Sequence, residues 1–424
     1  MCKSDKTRGF GWVPTLYFAE GVPYVAVMTI CTIMYKRMGA GNAEIAFFTS
    51  WLYLPWVIKP LWSPIVDIFS TKRRWIVVMQ AAIAAGLAAV ALSLSLPCWF
   101  AASLAAFWAV AFLSATHDIA ADGFYMLALT ESDQSFFVGI RTLFYRLALI
   151  AGQGGIVVLA GIWEYEWGVT AAWQWAFAGL SALFVLMAVY HYFVLPHALA
   201  DASPRGRQRI SPVEALREFV MTFKTFFTKP GIVTALLFML LYRFPEAQLI
   251  KLISPFLLDD AAAGGLGLTT SQVGIVYGTV GTIGLMAGGI IGGIVVSRGG
   301  LRRWLMPMAW SMSLTCLTFV YLSYGSDHSL AMVAACVLVE QLGYGFGGTA
   351  YTLYLIYFSS GPRRTSHYAM ATGVMALGMM LPGLGAGKLE EAVGYGPFFL
   401  ITMCCCLLTI GVASMVKVPA DAGK

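Results

Sequence analysis

About twelve apolar runs, each near the 20 residues that a helix needs to cross a bilayer, fill most of this 424-residue chain. They cover approximately 12–36, 45–68, 75–95, 99–129, 136–162, 171–195, 231–258, 271–297, 303–324, 329–358, 366–389 and 394–417. In hydrocarbon a backbone must satisfy its own polar groups, so runs of this length fold as helices. Charged residues are only 11% of the chain against about 25% in a soluble domain, and mean hydropathy is +0.76. The net charge of +6 sits in short loops and is not a nucleic-acid signal. The eight cysteines form no CxxC pair and read as packing residues, so no metal or cofactor is expected. Lys3, Lys6 and Arg8 precede the first run, but that run contains Glu20 and lacks a small-x-small site. It reads as a span rather than a cleaved leader.

The longest polar stretch, 197–229, carries Arg205, Arg207, Arg209, Arg217, Lys224 and Lys229. It divides the chain into a bundle at 1–196, a basic linker, and a bundle at 230–424. Lysine and arginine collect at the N-terminus, after the second, sixth, eighth and tenth runs, and at the C-terminus. The positive-inside rule then places both termini in the cytoplasm. The halves repeat. Thr71-Lys72-Arg73-Arg74-Trp75 resembles Gly300-Leu301-Arg302-Arg303-Trp304. Leu16-Tyr17-Phe18-Ala19-Glu20 resembles Leu241-Tyr242-Arg243-Phe244-Pro245-Glu246, with one residue extra. The expected fold is an all-α membrane protein of two pseudo-symmetric six-helix bundles, the architecture of major facilitator transporters.

Ionisable residues inside the apolar runs are costly and mark function or pairing. They are Glu20, Lys59, Asp118, Asp122, Arg141 and Arg146 in the first half, and Arg243, Glu246, Lys251 and Glu340 in the second. Asp118 and Asp122 share one face of a helix. At 1.5 Å per residue they lie about 17 and 11 Å from its cytoplasmic end, and Arg146 about 15 Å along a fifth helix counted from residue 136. This predicts an Arg146–Asp118/Asp122 cluster. Arg243 and Glu246, three apart, are expected to pair beside a kink at Pro245. Glu20 and Glu340, the latter followed by Gln341, have no evident local cation and are candidates for reversible protonation. Asp67 with Arg73 and Arg74 suggests a gate at a helix end, with Lys59 on the path to it, and Lys251 is expected to snorkel outward. Interior tyrosines, Tyr125 and Tyr242 among them, are candidate cavity residues. Glycines from Gly278 to Gly293, and Gly343 to Gly348, predict close helix packing.

Several stretches resemble the AmpG-type muropeptide permeases of the major facilitator superfamily. Lys59-Pro60-Leu61-Trp62-Ser63-Pro64-Ile65-Val66-Asp67 is similar to their span 2 motif. Ala115-Thr116-His117-Asp118-Ile119-Ala120-Ala121-Asp122 is similar to their span 4 motif, with His117 in place of the usual Gln. Tyr242-Arg243-Phe244-Pro245-Glu246-Ala247 and Glu340-Gln341-Leu342 resemble spans 7 and 10. The resemblance implies a monomeric, proton-driven importer of muropeptides in the bacterial inner membrane. Candidate proton or ligand groups are then Asp118, Asp122, Glu20, Glu246 and Glu340, with Arg146, Arg243, Gln341, Tyr125 and Tyr242. The departures leave a siderophore, another glycan or an acyl-coenzyme A open as cargo. His117 and Asp122 also fit the bare spacing of a membrane acyltransferase, but a pair deep in a continuous helix lacks access to an acyl donor.

Overall fold

The computed structural model of the protein describes residues 6–197, 212–325, 328–361 and 364–418. In chain order its main helices are α1 (Gly9–Arg37), α2 (Asn42–Trp51), α3 (Leu54–Phe69), α4 (Lys72–Ser93) and α5 (Trp99–Ala128). Next comes α6, which starts as Glu131–Leu149 and runs on through a π-turn, Ile150–Ile156, to Trp167. Then follow α7 (Val169–Val194), α8 (Pro212–Phe227), α9 (Ile232–Leu241) and α10 (Phe244–Leu258). The chain closes with α11 (Thr270–Gly299), α12 (Leu301–Tyr324), α13 (Leu330–Phe358), α14 (Ser366–Val393) and α15 (Tyr395–Met415). Among the described residues there is no strand.

Among the described residues, eleven helical stretches are long and apolar enough to cross a membrane. The predicted run at 45–68 is different, because it breaks at Leu52–Tyr53 into α2 and α3. Pro55 explains the break: it has no N–H to return to the Trp51 carbonyl. The seventh crossing is also interrupted. Helix α9 stops at Leu241, and α10 restarts at Phe244 with Pro245 in its first turn, where a missing N–H costs nothing. The kink expected at Pro245 is therefore a full interruption at Tyr242–Arg243.

The chain forms two compact units. One comprises the residues up to Cys31 together with Ile58–Arg217, and the other Thr32–Val57 with Glu218–Lys424. Cys31 lies just beyond a π-turn in α1, Ala26–Ile30. Hence the end of α1, the loop after it and all of α2 pack with the C-terminal helices. Lys36 Nζ lies 2.5 Å from Asp259 Oδ1, and Asn42 Nδ2 donates to Glu390 Oε2 and to the Tyr395 hydroxyl, each at 2.8 Å. Tyr395 in turn donates to Asp259 Oδ2 at 2.7 Å. Lys251 is buried here, donating to Thr49 Oγ1 at 3.0 Å, so the snorkelling position expected for it is not adopted. Gly387 permits the approach of α2: a Cβ there would sit 2.3 Å from the Asn42 carbonyl oxygen.

In the second unit the glycine seam does what its spacing predicts. A Cβ on Gly288 of α11 would lie 2.1 Å from the Leu342 carbonyl oxygen, and one on Gly345 of α13 would lie 2.1 Å from that of Leu285. The two backbones touch there, and only glycine admits that separation.

Candidate functional site

In the first unit five of the ionisable side chains within the apolar runs gather in one cluster built from α1, α3, α5 and α6. Asp118 sits past the middle of the 30-residue α5. Its carboxylate takes a short ion pair from Lys59 of α3. One turn on, Asp122 Oδ1 accepts from the Tyr17 hydroxyl at 2.9 Å and lies 3.3 Å from Arg141 Nη1. Arg141 also donates to the Tyr17 hydroxyl at 2.9 Å, and its guanidinium stands over the rings of Tyr17 and Tyr125 at 4.8 and 5.1 Å. Glu20 enters from α1, one turn beyond Tyr17, and its buried carboxyl faces the same cluster as Asp118 and Asp122. Its Oε2 is buried and accepts no hydrogen bond from the described residues.

Two properties follow. The cluster holds three carboxyl groups, on Glu20, Asp118 and Asp122, against two cations, Lys59 and Arg141. Fully ionised, these five groups carry one net negative charge. Secondly, the Asp122 and Arg141 side chains keep 42% and 32% of their surface exposed. Charged surface in the middle of a membrane-crossing helix faces water or a solute rather than lipid.

Behind this cluster lies a buried polar chain. Gln80 of α4 donates to His117 Nε2 at 3.0 Å, while its Oε1 accepts from His191 Nδ1 of α7 at 2.9 Å. His191 Nε2 then lies 3.0 Å from the Thr15 hydroxyl. Both imidazoles are fully buried. His117 thus turns toward Gln80 while Asp122 turns toward Tyr17 and Arg141, and the two make no joint site of the acyltransferase kind.

The structure relocates several expected groups. Arg146 forms no ion pair with Asp118 or Asp122, whose partners are Lys59 and Arg141. Lys59 belongs to the acid cluster rather than to a path toward Asp67, whose side chain lies outside the described residues. Arg73 donates to the carbonyls of Leu195, at 3.0 Å, and Tyr192, satisfying the end of α7. Arg74 is exposed, and its backbone N–H donates to the Thr71 cap. The Tyr125 hydroxyl donates to the Gln134 carbonyl.

The second unit holds the other expected groups. Arg243 and Glu246 form a two-pronged pair, Nε to Oε2 and Nη2 to Oε1, each at 3.0 Å. Arg243 also donates to the Tyr344 hydroxyl and stands over the Tyr344 and Tyr351 rings. Glu340 is buried and accepts from Gln341 Nε2 at 2.8 Å. Tyr242 is buried, donating to the Gly347 carbonyl at 3.1 Å and stacking on Tyr351, so it packs the core. Among the described residues no three His, Cys, Asp or Glu side chains gather as metal ligands.

The family model described as Major Facilitator Superfamily matches residues 15–387. The chain belongs to that superfamily. Its relatives include the anhydromuropeptide permease of Escherichia coli (strain K12), 26% identical over 403 residues, with 92% of this chain and 75% of that protein covered. A Rickettsia conorii protein named as the transporter AmpG 4 is 26% identical over 407 residues, with 92% of each covered. Among solved structures, the D-xylose-proton symporter superposes with a TM-score of 0.73 at 12% identity, covering 99% of both chains. The nucleoside transporter NupG does so with a TM-score of 0.72 at 16% identity, covering 98% and 99%. This major facilitator chain is accordingly a multi-pass membrane transporter of small molecules and not an enzyme.

Proposed function

We propose that the protein imports anhydro-muropeptides, or closely related amino-sugar–peptide conjugates, across a bacterial inner membrane by proton-coupled alternating access. In this reading it works as a monomer with both termini in the cytoplasm. The names of its relatives support the cargo. The observation that carries the coupling is the cluster of Glu20, Asp118 and Asp122 against Lys59 and Arg141.

The chemistry is as follows. With a proton held between Glu20 and Asp118 the cluster is neutral. Without it the cluster carries one negative charge and repels an anionic solute. Arg141 is reachable from water, and a substrate carboxylate can replace Asp122 beside its guanidinium. Proton and acidic substrate therefore bind in mutual support, and by linkage each raises the affinity for the other. Release of the proton to the other side weakens the substrate's hold. The gradient supplies the driving force, and no cofactor takes part.

The test is uptake of labelled anhydro-muropeptide into proteoliposomes, with and without an imposed proton gradient. Accumulation against a concentration difference only when the gradient points inward supports the reading. Equal uptake with the gradient collapsed removes the coupling, and no uptake in either condition removes the cargo.

A further inference from the structure

Helix α8 precedes the first crossing of the second unit and is pinned to it. Phe226 is fully buried, with its ring 5.8 Å from Phe358 and 5.6 Å from His367. Thr225 Oγ1 lies 3.0 Å from His367 Nε2. Just beyond the helix, Lys229 donates to the carbonyls of Phe358 and Ser360, at 2.6 and 2.8 Å, and caps the end of α13. Burial pushes the Lys229 ammonium below its ordinary pKa.

The opposite face is open. The described residues of α8 that are exposed are Arg217, Val220, Met221, Lys224 and Phe227. Their spacing of three and four places them on a single stripe. Val220, Met221 and Phe227 keep 54%, 39% and 46% of their surface, which is unfavourable against water alone. Arg217 and Lys224 alternate with them along the stripe and form no ion pair among the described residues.

Phe227 is five residues from Ile232, where a membrane-crossing helix starts, a reach of at most about 18 Å. The Phe227 end of the stripe therefore lies within that distance of the crossing, near the bilayer surface. The stretch 197–229 carries six lysines and arginines against three acids. Apolar side chains interleaved with cations at that depth fit a headgroup layer of anionic lipid.

We propose that the Arg217–Phe227 face of α8 is a binding surface for anionic phospholipid, with Val220, Met221 and Phe227 entering the acyl boundary and Arg217 and Lys224 meeting phosphates. The leaflet it serves in the cell rests on the orientation given above, but the binding itself does not.

The experiment uses the full-length chain in nanodiscs of equal phosphatidylglycerol and phosphatidylcholine with identical acyl chains. A benzophenone amino acid replaces Val220, and adducts formed on irradiation are weighed by mass spectrometry. Lipid adducts are expected, enriched in phosphatidylglycerol by about fivefold per engaged cation. In an Arg217→Gln/Lys224→Gln background the lipid adducts persist and the ratio falls toward one. The same probe at buried Phe226 yields none. A ratio of one in the unaltered chain, an unchanged ratio in the double variant, or adducts mainly to a second copy of the protein overturns the proposal. None of these readouts depends on transport, so a wrong cargo leaves the result intact.

Discussion

Tyr17 and Glu20 of α1 and Tyr242 and Glu246 of the seventh crossing occupy matching places in a repeated sequence, yet the two units use them in opposite ways. In the first unit the tyrosine bridges Arg141 and Asp122, and the glutamate faces another carboxyl. In the second, Glu246 is held by both prongs of Arg243, with 3% of its side-chain surface left. The extra residue of the second copy is Arg243 itself. It stands at the interruption between α9 and α10 and supplies a cation three residues from the acid. A glutamate with its own arginine has little to exchange, whereas in the proposed reading Glu20 shares a proton with Asp118. In that reading the first unit carries the proton and the second a fixed interruption in a helix.

The largest effect expected from this contrast is at Asp118. Asp118→Asn removes the partner of both Lys59 and Glu20, and gradient-driven uptake should fall by about a hundredfold or more. The pair is part-exposed, at 27% and 18%, so the stability cost stays below the ~3–5 kcal/mol of a fully buried pair. The thermal melt should show a folded protein. Near-normal uptake would break the contrast at its centre. Glu20→Gln is gentler, because the amide keeps the side chain's size and can donate to Asp118 while losing the titratable proton. Accumulation should disappear while exchange of labelled for unlabelled substrate continues. If exchange disappears as well, Glu20 serves substrate binding rather than coupling.

Glu246→Gln tests the other side. It leaves Arg243 beside a neutral amide in a site with little water, at a cost of about 3 kcal/mol. The melting temperature should drop clearly, while the transport that survives keeps its dependence on the gradient. Gradient-independent transport with an unchanged melt would reverse the assignment of the two units.

Much of this was legible before the structure. Apolar run length gave the crossings, because a bilayer accepts little else, and the spacing of Arg243 and Glu246 gave their pair. Counting along the apolar run picks Arg146 rather than Arg141 for a definite reason. The count of about 15 Å starts at Phe136, where the apolar run begins, whereas α6 begins at Glu131. Ten residues on from Glu131 stands Arg141, not Arg146. The signal was present: Thr130 caps the helix, its hydroxyl accepting from the Asp133 N–H at 3.3 Å, and Thr-Glu-Ser-Asp is a recognisable start. Lys59 was less accessible, because its own helix begins only after the break at Leu52–Tyr53. The binding of Thr32–Val57 to the second unit had no local signal, since Asn42, Glu390 and Tyr395 are far apart in sequence.

The finest division comes from two phenol groups. Tyr17→Phe deletes a hydroxyl that accepts from Arg141 and donates to Asp122, leaving a weak 3.3 Å contact between those charges. Tyr344→Phe deletes a hydroxyl that accepts from Arg243, but both prongs onto Glu246 remain. Each loss is worth about 1 kcal/mol by the ordinary measure of one hydrogen bond. The consequences should nevertheless differ. In the first unit that energy holds a cation at the place where substrate and Asp122 compete, so Tyr17→Phe should change the half-saturating substrate concentration about fivefold. In the second unit it only braces a closed pair, so Tyr344→Phe should lower the melting temperature slightly and leave uptake within about twofold. Paired uptake curves and melts decide between them. Equal shifts in saturation from both variants would mean that Arg243 also meets the substrate, and the two copies of the repeat would then share the work of binding.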